Sequence, residues 1–233
     1  MPYDYQYALS SMLYSKMSSV RRDLAARLHR SRGFKFYCFS NLLPEDGKTD
    51  RRGLNFSTAR LIISSPDDEF IKIFAEGLLT SPEFHLKQRP FICTSVQLVD
   101  DIPLGTTATM TTLSPILVRT VREDGGNKKE WELYPRDGKF YDNLHRNLLS
   151  RYEEFYGYPP PEDIFEISKL IWMKPKRVEI DGTPRRCSLM TFRINASEAL
   201  MKFAYQAGLG ERQAMGFGCI EVIKDKNATQ GDK

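Results

Sequence analysis

From Tyr5 to about Ser18, apolar residues recur at three- and four-residue steps, and Leu9, Met12, Leu13 and Met17 fall on one face of an amphipathic helix. Ser18 and Ser19 are placed to cap a second short helix with Val20, Leu24 and Leu28 along one side and Gly33 as its stop. The aromatic run Phe34 to Ser40 reads as a strand. The turn-forming string PEDGKTDRRG follows, and Leu54 to Ser64 reads as the partner strand of a hairpin. Asp67 has the character of an N-cap for a helix through Ile71, Phe74, Ala75, Leu78 and Leu79, closed by Ser81-Pro82. A strand from about Phe91 to Val99 ends this first run.

The short string DDIPLG at 100–105 separates it from a second run. There, Thr106 to Val121 is β-branched and apolar, GGNKKE reads as a loop, and Leu144, Leu148, Tyr152 and Phe155 mark a helix from Asp142 to Tyr156. After YGYPPPED, Phe165 to Ile180 and Cys187 to Ile194 read as strands joined near Asp181-Gly182. Ala196 to Ala207 reads as a helix, Phe217 to Ile223 as a last strand, and 224–233 as a disordered polar tail. The second half is thus strand, helix, strand, strand, helix, strand, and the first half repeats that order without its opening strand. The predicted fold is α+β, with two tandem ferredoxin-like (RRM-like) domains at 1–101 and 106–223. An absent or truncated first strand leaves a sheet edge open, which destabilises the first domain or favours pairing with another chain. The architecture serves many functions and names none.

Composition narrows the class. Hydrophobic residues are 41% and charged residues 27% of 233, enough for a folded core. No apolar run reaches the length that spans a bilayer, and the N-terminus lacks a signal-peptide pattern, so a membrane partner is not expected. The four cysteines, Cys38, Cys93, Cys187 and Cys219, form no C-x-x-C pair and have no histidine nearby. They read as reduced, buried thiols of a cytoplasmic protein, with no metal site and no cofactor.

The net charge of +4 conceals two basic segments. Residues 16–35 carry +6 and residues 169–193 carry +5, which leaves the rest of the chain acidic. Such clustering suits a polyanion bound in a salt-dependent way. The string GLGERQAMGFG, Gly208 to Gly218, adds two Gly-x-Gly pairs around Arg212. Glycines at this density leave backbone N–H groups open to a closely approaching phosphate or sugar. The string is neither a phosphate-binding loop of the Gly-Lys-Ser/Thr kind nor a dinucleotide fingerprint, because it leads into a strand.

The G-x-G-x5-G-x-G pattern of Gly208, Gly210, Gly216 and Gly218 resembles that of the CRISPR-associated repeat-processing endoribonucleases, the sixth Cas protein of the RAMP superfamily. Two further strings are similar to that family, YQYALSSMLY (Tyr5 to Tyr14) and RLHRSRGFKFYCFSNL (Arg27 to Leu42). The likeness covers nearly the whole chain, although the family's opening strand is not evident. It implies cleavage of precursor CRISPR RNA within repeats, without a metal, by attack of a 2′-hydroxyl on the adjacent phosphate. The products would be a 2′,3′-cyclic phosphate and a 5′-hydroxyl.

By that resemblance Tyr14, His29 and Lys35 are the catalytic set. His29 is the general acid or base, since an imidazole titrates near neutrality; Tyr14 orients or relays, and Lys35 neutralises charge on the phosphorane. Arg27, Arg30 and Arg32, the hairpin residues Lys174, Lys176, Arg177, Arg185 and Arg186, and Gly208, Gly210, Arg212, Gly216 and Gly218 are the expected contacts to CRISPR repeat RNA. Membership of a larger CRISPR effector complex stays open. The rival is a protein of the same fold that holds repeat RNA without cutting it. A weaker third reading is a metabolic enzyme whose glycine loop holds a small phosphorylated ligand.

Overall fold

A computed structural model describes residues 1–23, 26, 33–180 and 182–223, except the side chain of Asp124. The expected second helix lies largely outside these residues, and the tail 224–233 wholly so. Helix α1 (Gln6–Val20) buries Leu9, Leu13 and Met17 completely, as the spacing predicts. Short antiparallel pairs follow: β1 (Cys38–Phe39), β2 (Leu43–Pro44), β3 (Lys48–Asp50), β4 (Gly53–Asn55), β5 (Ala59–Arg60) and β6 (Ile63–Ser64). β1 pairs with β6, β2 with β5 and β3 with β4. Helix α2 (Asp68–Thr80) starts where Asp67 accepts a hydrogen bond from the Phe70 amide at 3.2 Å, and Asp68 and Glu69 complement its positive end. These elements enclose one core, in which Tyr37 stacks on Phe70 with centroids 4.4 Å apart.

The first half departs from expectation in two places. The strands read at 34–40 and 54–64 shrink to pairs of two or three residues. The strand read at 91–99 is instead the second arm of a hairpin, β7 (Glu83–Leu86) and β8 (Arg89–Ile92). Its turn residues Lys87 and Gln88 both have positive φ, 47° and 65°, the conformation of a two-residue hairpin turn usually signalled by Asn-Gly. The cross-strand pair Phe84 and Phe91, stacked 5.7 Å apart, and an ion pair between Lys87 and Asp4 help hold that turn without a glycine.

In the second half, β9 (Thr107–Thr112) leads into a hairpin of β10 (Val118–Asp124) and β11 (Asn127–Leu133), then helix α3 (Phe140–Tyr156). The string GGNKKE is therefore not a loop: Gly125 and Gly126 make a tight turn and the charged residues begin β11. β12 (Phe165–Ile180) and β13 (Thr183–Ala196) form a long hairpin. Helix α4 (Glu198–Ala207), a 3-10 turn (Gln213–Met215) and β14 (Ile220–Val222) complete the order. The sheet order is β12-β13-β9-β14, with α3 and α4 packed into one core with it. Register shifts between Ile167 and Lys169 and between Leu170 and Trp172 break the alternation on edge strand β12, so Leu170, Ile171 and Trp172 are exposed despite their apolar sequence.

Cys38, Cys187 and Cys219 are buried and Cys93 is half-buried, in partial contrast to the expectation for all four. No helix among the described residues is long and apolar enough to cross a membrane.

Burial pushes the Tyr5 phenol and the Cys187 thiol up to about 12. Each keeps its proton when folded at a pH where the unfolded chain releases it. Their stabilisation is therefore whole below the ordinary values of 9 for the thiol and 10 for the phenol, and is lost as pH rises toward about 12. The thermal midpoint is expected to fall with rising alkaline pH, and less steeply in Tyr5→Phe than in the parent. Parallel slopes would contradict the assignment to Tyr5.

Candidate functional site

The expected glycine loop lies where the two halves join, and the expected hairpin residue Arg185 stands near its Arg212. The loop 208–218 fills that joint, and packing dictates its conformation. Gly208, Gly210, Gly216 and Gly218 are buried at φ of 78°, 80°, 87° and 75°. A Cβ on Gly210 would lie 2.5 Å from the Leu117 carbonyl oxygen, and one on Gly218 would lie 2.0 Å from that of Leu209. On Gly208 it would meet Cys38, and on Gly216 it would meet Gln6 and Phe39, all from the first half. The amides of Leu209, Glu211, Met215, Gly216 and Gly218 donate to carbonyls of Gly218, Leu117, Arg212, Gln213 and Pro115. Here the expectation of an open backbone cradle needs correction: these four glycines let the chain pack tightly against both halves, and much of the loop's hydrogen bonding is internal.

The loop is tied to α1 by the Ser10 hydroxyl, which donates to the Ala214 carbonyl at 2.8 Å. At its start the fully buried Arg151 guanidinium donates to the carbonyls of Ala207 and Gly208, the latter at 2.8 Å, and so satisfies the end of α4. Burial lowers the Arg151 pKa to about 10.

Arg212 is the loop's charged member. It is in the left-handed conformation, φ 59°, and half-buried. Burial lowers its pKa, and Arg185 of the long hairpin and Arg119 of β10 lower it further, while Glu130 and Glu211 oppose them. Arg119 is held by Glu211, with its Nε 2.7 Å from Oε2, and by Glu130. Arg185 is held by Glu132 at 3.2 Å. Among the described residues, the buried Nε atoms of Arg185 and Arg212 have no hydrogen-bond partner. Like charges with spare donors converge here from the loop and both hairpins.

The remaining expected contacts divide. Lys174 and Arg177 are exposed on β12, and Arg177 stands opposite Arg186. The Lys176 ammonium lies over the Tyr3 ring of the first half at 5.1 Å. The Arg186 guanidinium is stacked on Trp131 and Tyr134, and neither aromatic was singled out from the sequence.

Of the expected catalytic set, Tyr14 is half-buried in the middle of α1. Its hydroxyl neighbours that of buried Tyr37, whose phenol is raised well above its ordinary value by burial and further by Tyr14. Lys35 is half-buried two residues before Tyr37. Burial lowers its pKa and Glu154 of α3 opposes the shift. The same Glu154 accepts from the Phe34 amide at 3.1 Å, and Phe36 packs edge-on against Phe155 at 5.0 Å. The segment carrying Lys35 is therefore docked on the second half. His29, Arg27, Arg30 and Arg32 lie outside the described residues. The other two histidines belong elsewhere: His85 is on β7, and His145 pairs with Asp163 at 2.7 Å.

Comparison with known proteins gives the family. A model described as CRISPR-associated protein Cas6, N-terminal, matches residues 1–97, and one described as CRISPR associated protein Cas6, C-terminal, matches residues 100–222. The chain belongs to the Cas6 family of CRISPR-associated endoribonucleases. It is 36% identical to CRISPR-associated endoribonuclease Cas6 1 of Methanocaldococcus jannaschii over 97% of this chain and 89% of that protein. It is 32% identical to the endoribonuclease-like protein Cas6nc of Pyrococcus horikoshii, over 96% of this chain and 94% of that one. A solved structure of a Cas6-related gene product from Pyrococcus furiosus is similar with a TM-score of 0.89 and 32% identity, covering 97% and 93% of the two chains. Another, titled as a RAMP protein binding different RNA substrates, gives 0.88 and 32%, covering 96% and 93%.

Two glycine substitutions separate conformational cost from packing cost. Gly157→Ala, at φ 79° with nothing within 4 Å of the added carbon, is expected to cost about 1–2 kcal/mol. Gly218→Ala adds a backbone clash to the same penalty and should lower the thermal midpoint by several degrees more. Equal midpoints would remove the packing role given to the loop.

Proposed function

We propose that this protein cleaves precursor CRISPR RNA within its repeats by metal-independent acid–base catalysis. A base takes the proton of the 2′-hydroxyl, and the 2′-oxygen attacks the adjacent phosphorus. The P–O5′ bond breaks as the 5′-oxygen receives a proton. The products are a 2′,3′-cyclic phosphate and a 5′-hydroxyl. His29 is the proton carrier in this reading, Tyr14 positions the nucleophile or relays its proton, and Lys35 stabilises the phosphorane. Lys35 reaches this role as a half-buried cation on a docked segment, where its charge is less screened than on an open surface. Arg27, Arg30 and Arg32 and the long hairpin hold the RNA backbone. The two halves, 1–101 and 106–223, act as tandem ferredoxin-like units around one RNA in the cytoplasm.

The observation that carries the reading is the convergence of Arg212, Arg185 and Arg119. Burial and then the neighbouring Arg185 and Arg119 guanidinium groups lower the proton affinity of Arg212, a cost that a bound polyanion relieves.

A second reading, repeat binding without cutting, is favoured by one finding: a relative 32% identical over nearly the whole chain bears a name that says only endoribonuclease-like. Incubation with repeat RNA in EDTA, with product ends mapped, decides between them. His29→Ala is expected to leave binding intact and slow cleavage by ~10²–10⁴-fold, and a 2′-deoxy nucleotide at the cut should block it. Cleavage abolished by EDTA, or products with 5′-phosphates, would count against the mechanism. Salt-sensitive binding with no cleavage by the parent protein would select the second reading.

A further inference from the structure

The β10–β11 hairpin carries a surface that includes none of the candidate catalytic residues Tyr14, His29 and Lys35. The Arg122 guanidinium lies over the Trp131 ring, 4.7 Å from its centroid. The Arg186 guanidinium lies 5.2 Å from the same ring and 4.7 Å from that of Tyr134. The Arg136 guanidinium lies 5.7 Å from Tyr134. Five side chains thus alternate cation and aromatic ring in one ladder from the hairpin arm across β13 to the segment before α3. The register explains its start: Thr120 stands opposite Trp131 and Arg122 opposite Lys129, so these four share one face of the hairpin. Glu132 fixes the middle, accepting from the Arg186 amide at 2.8 Å and from Arg185.

The ladder is open where it matters. Trp131 is 37% exposed, and Arg122 and Arg136 are exposed. Among the described residues, no carboxylate forms an ion pair with the guanidinium of Arg122, Arg136 or Arg186, whereas Arg119 and Arg185 beside them are neutralised. A structural stack has no need to leave three cations unneutralised, two of them exposed. A stacked guanidinium also keeps its N–H edge free, and its plane is already oriented. Flat faces for bases and spare donors for phosphates are what unpaired RNA requires.

We infer that the ladder Arg122, Trp131, Arg186, Tyr134 and Arg136 is a platform for unpaired nucleotides of the bound RNA, outside the segment that is cut. The inference rests on the RNA-binding reading above. A base stacks on an outer guanidinium, that of Arg122 or Arg136, and its phosphates bond to the free N–H edges.

The chain has two tryptophans, so Trp172→Phe leaves Trp131 as the sole indole reporter. Titrating that variant with a short single-stranded adenosine RNA oligomer is expected to quench its emission saturably, and added salt should reverse the effect. In parallel, anisotropy of labelled repeat RNA with single-stranded flanks should show Trp131→Leu weakening binding about 5- to 150-fold. Arg122→Ala and Arg122→Lys should weaken it alike, since lysine keeps the charge but not the plane. Arg122 and Arg136 are surface residues, so their alanine variants carry the test if Trp131→Leu fails to fold. RNA binding with unchanged Trp131 emission, or full rescue by Arg122→Lys, overturns the platform and leaves the hairpin to packing or to a protein contact. No RNA binding by any variant or by the parent overturns the RNA reading itself.

Discussion

The joint depends on one buried cation. Arg151 reaches from α3 to the last carbonyls of α4, at the point where the chain must leave the helix and enter the glycine loop. A guanidinium with no accessible surface is costly to bury, and its lowered proton affinity reflects that cost. Two carbonyls, the Phe203 ring at 5.7 Å and the nearby Cys38 sulfur offset it. In return the exit of α4 has a fixed direction, which sets the path of the loop against Cys38, Gln6 and Phe39 of the other half. Along that path the Ser10 hydroxyl tethers the loop at Ala214.

The electrostatics separate into two kinds of arginine. Arg119 and Arg185 are anchored by carboxylates and partly sheltered, so they organise the hairpins. Arg122, Arg136 and Arg186 rest on aromatic rings, which orient them without cancelling their charge. Arg212 stands between these populations, with its charge opposed by neighbours of the same sign. A basic stretch in the sequence does not reveal this division, because partner identity is decided by elements far away along the chain.

Local features were legible in the residues. Asp67 caps α2 as read, Tyr156 ends α3, and Phe165 and Ile180 bound β12 as read. What failed had a physical cause in each case. β11 is charged and exposed along most of its length, so it lacks the alternation that marks a half-buried strand, although Gly125-Gly126 signals its turn. The β7–β8 turn uses Lys87 and Gln88, residues with no turn signature. Among the candidate residues, Tyr14, Lys35 and the glycines are named by resemblance to a family. Tyr37, Trp131, Tyr134 and Glu154 are not, because their roles arise from contacts between segments distant in sequence. The glycines were visible as a pattern but not as interior residues, since density of glycine suits both an open cradle and a close fit.

The interior position of that loop changes what its signature means. A G-x-G-x5-G-x-G string selected by steric fit between two halves reports the architecture, and a chain that lost its scissile chemistry would still need all four residues to assemble. The motif is a fingerprint of shape: what its four residues answer to is close packing.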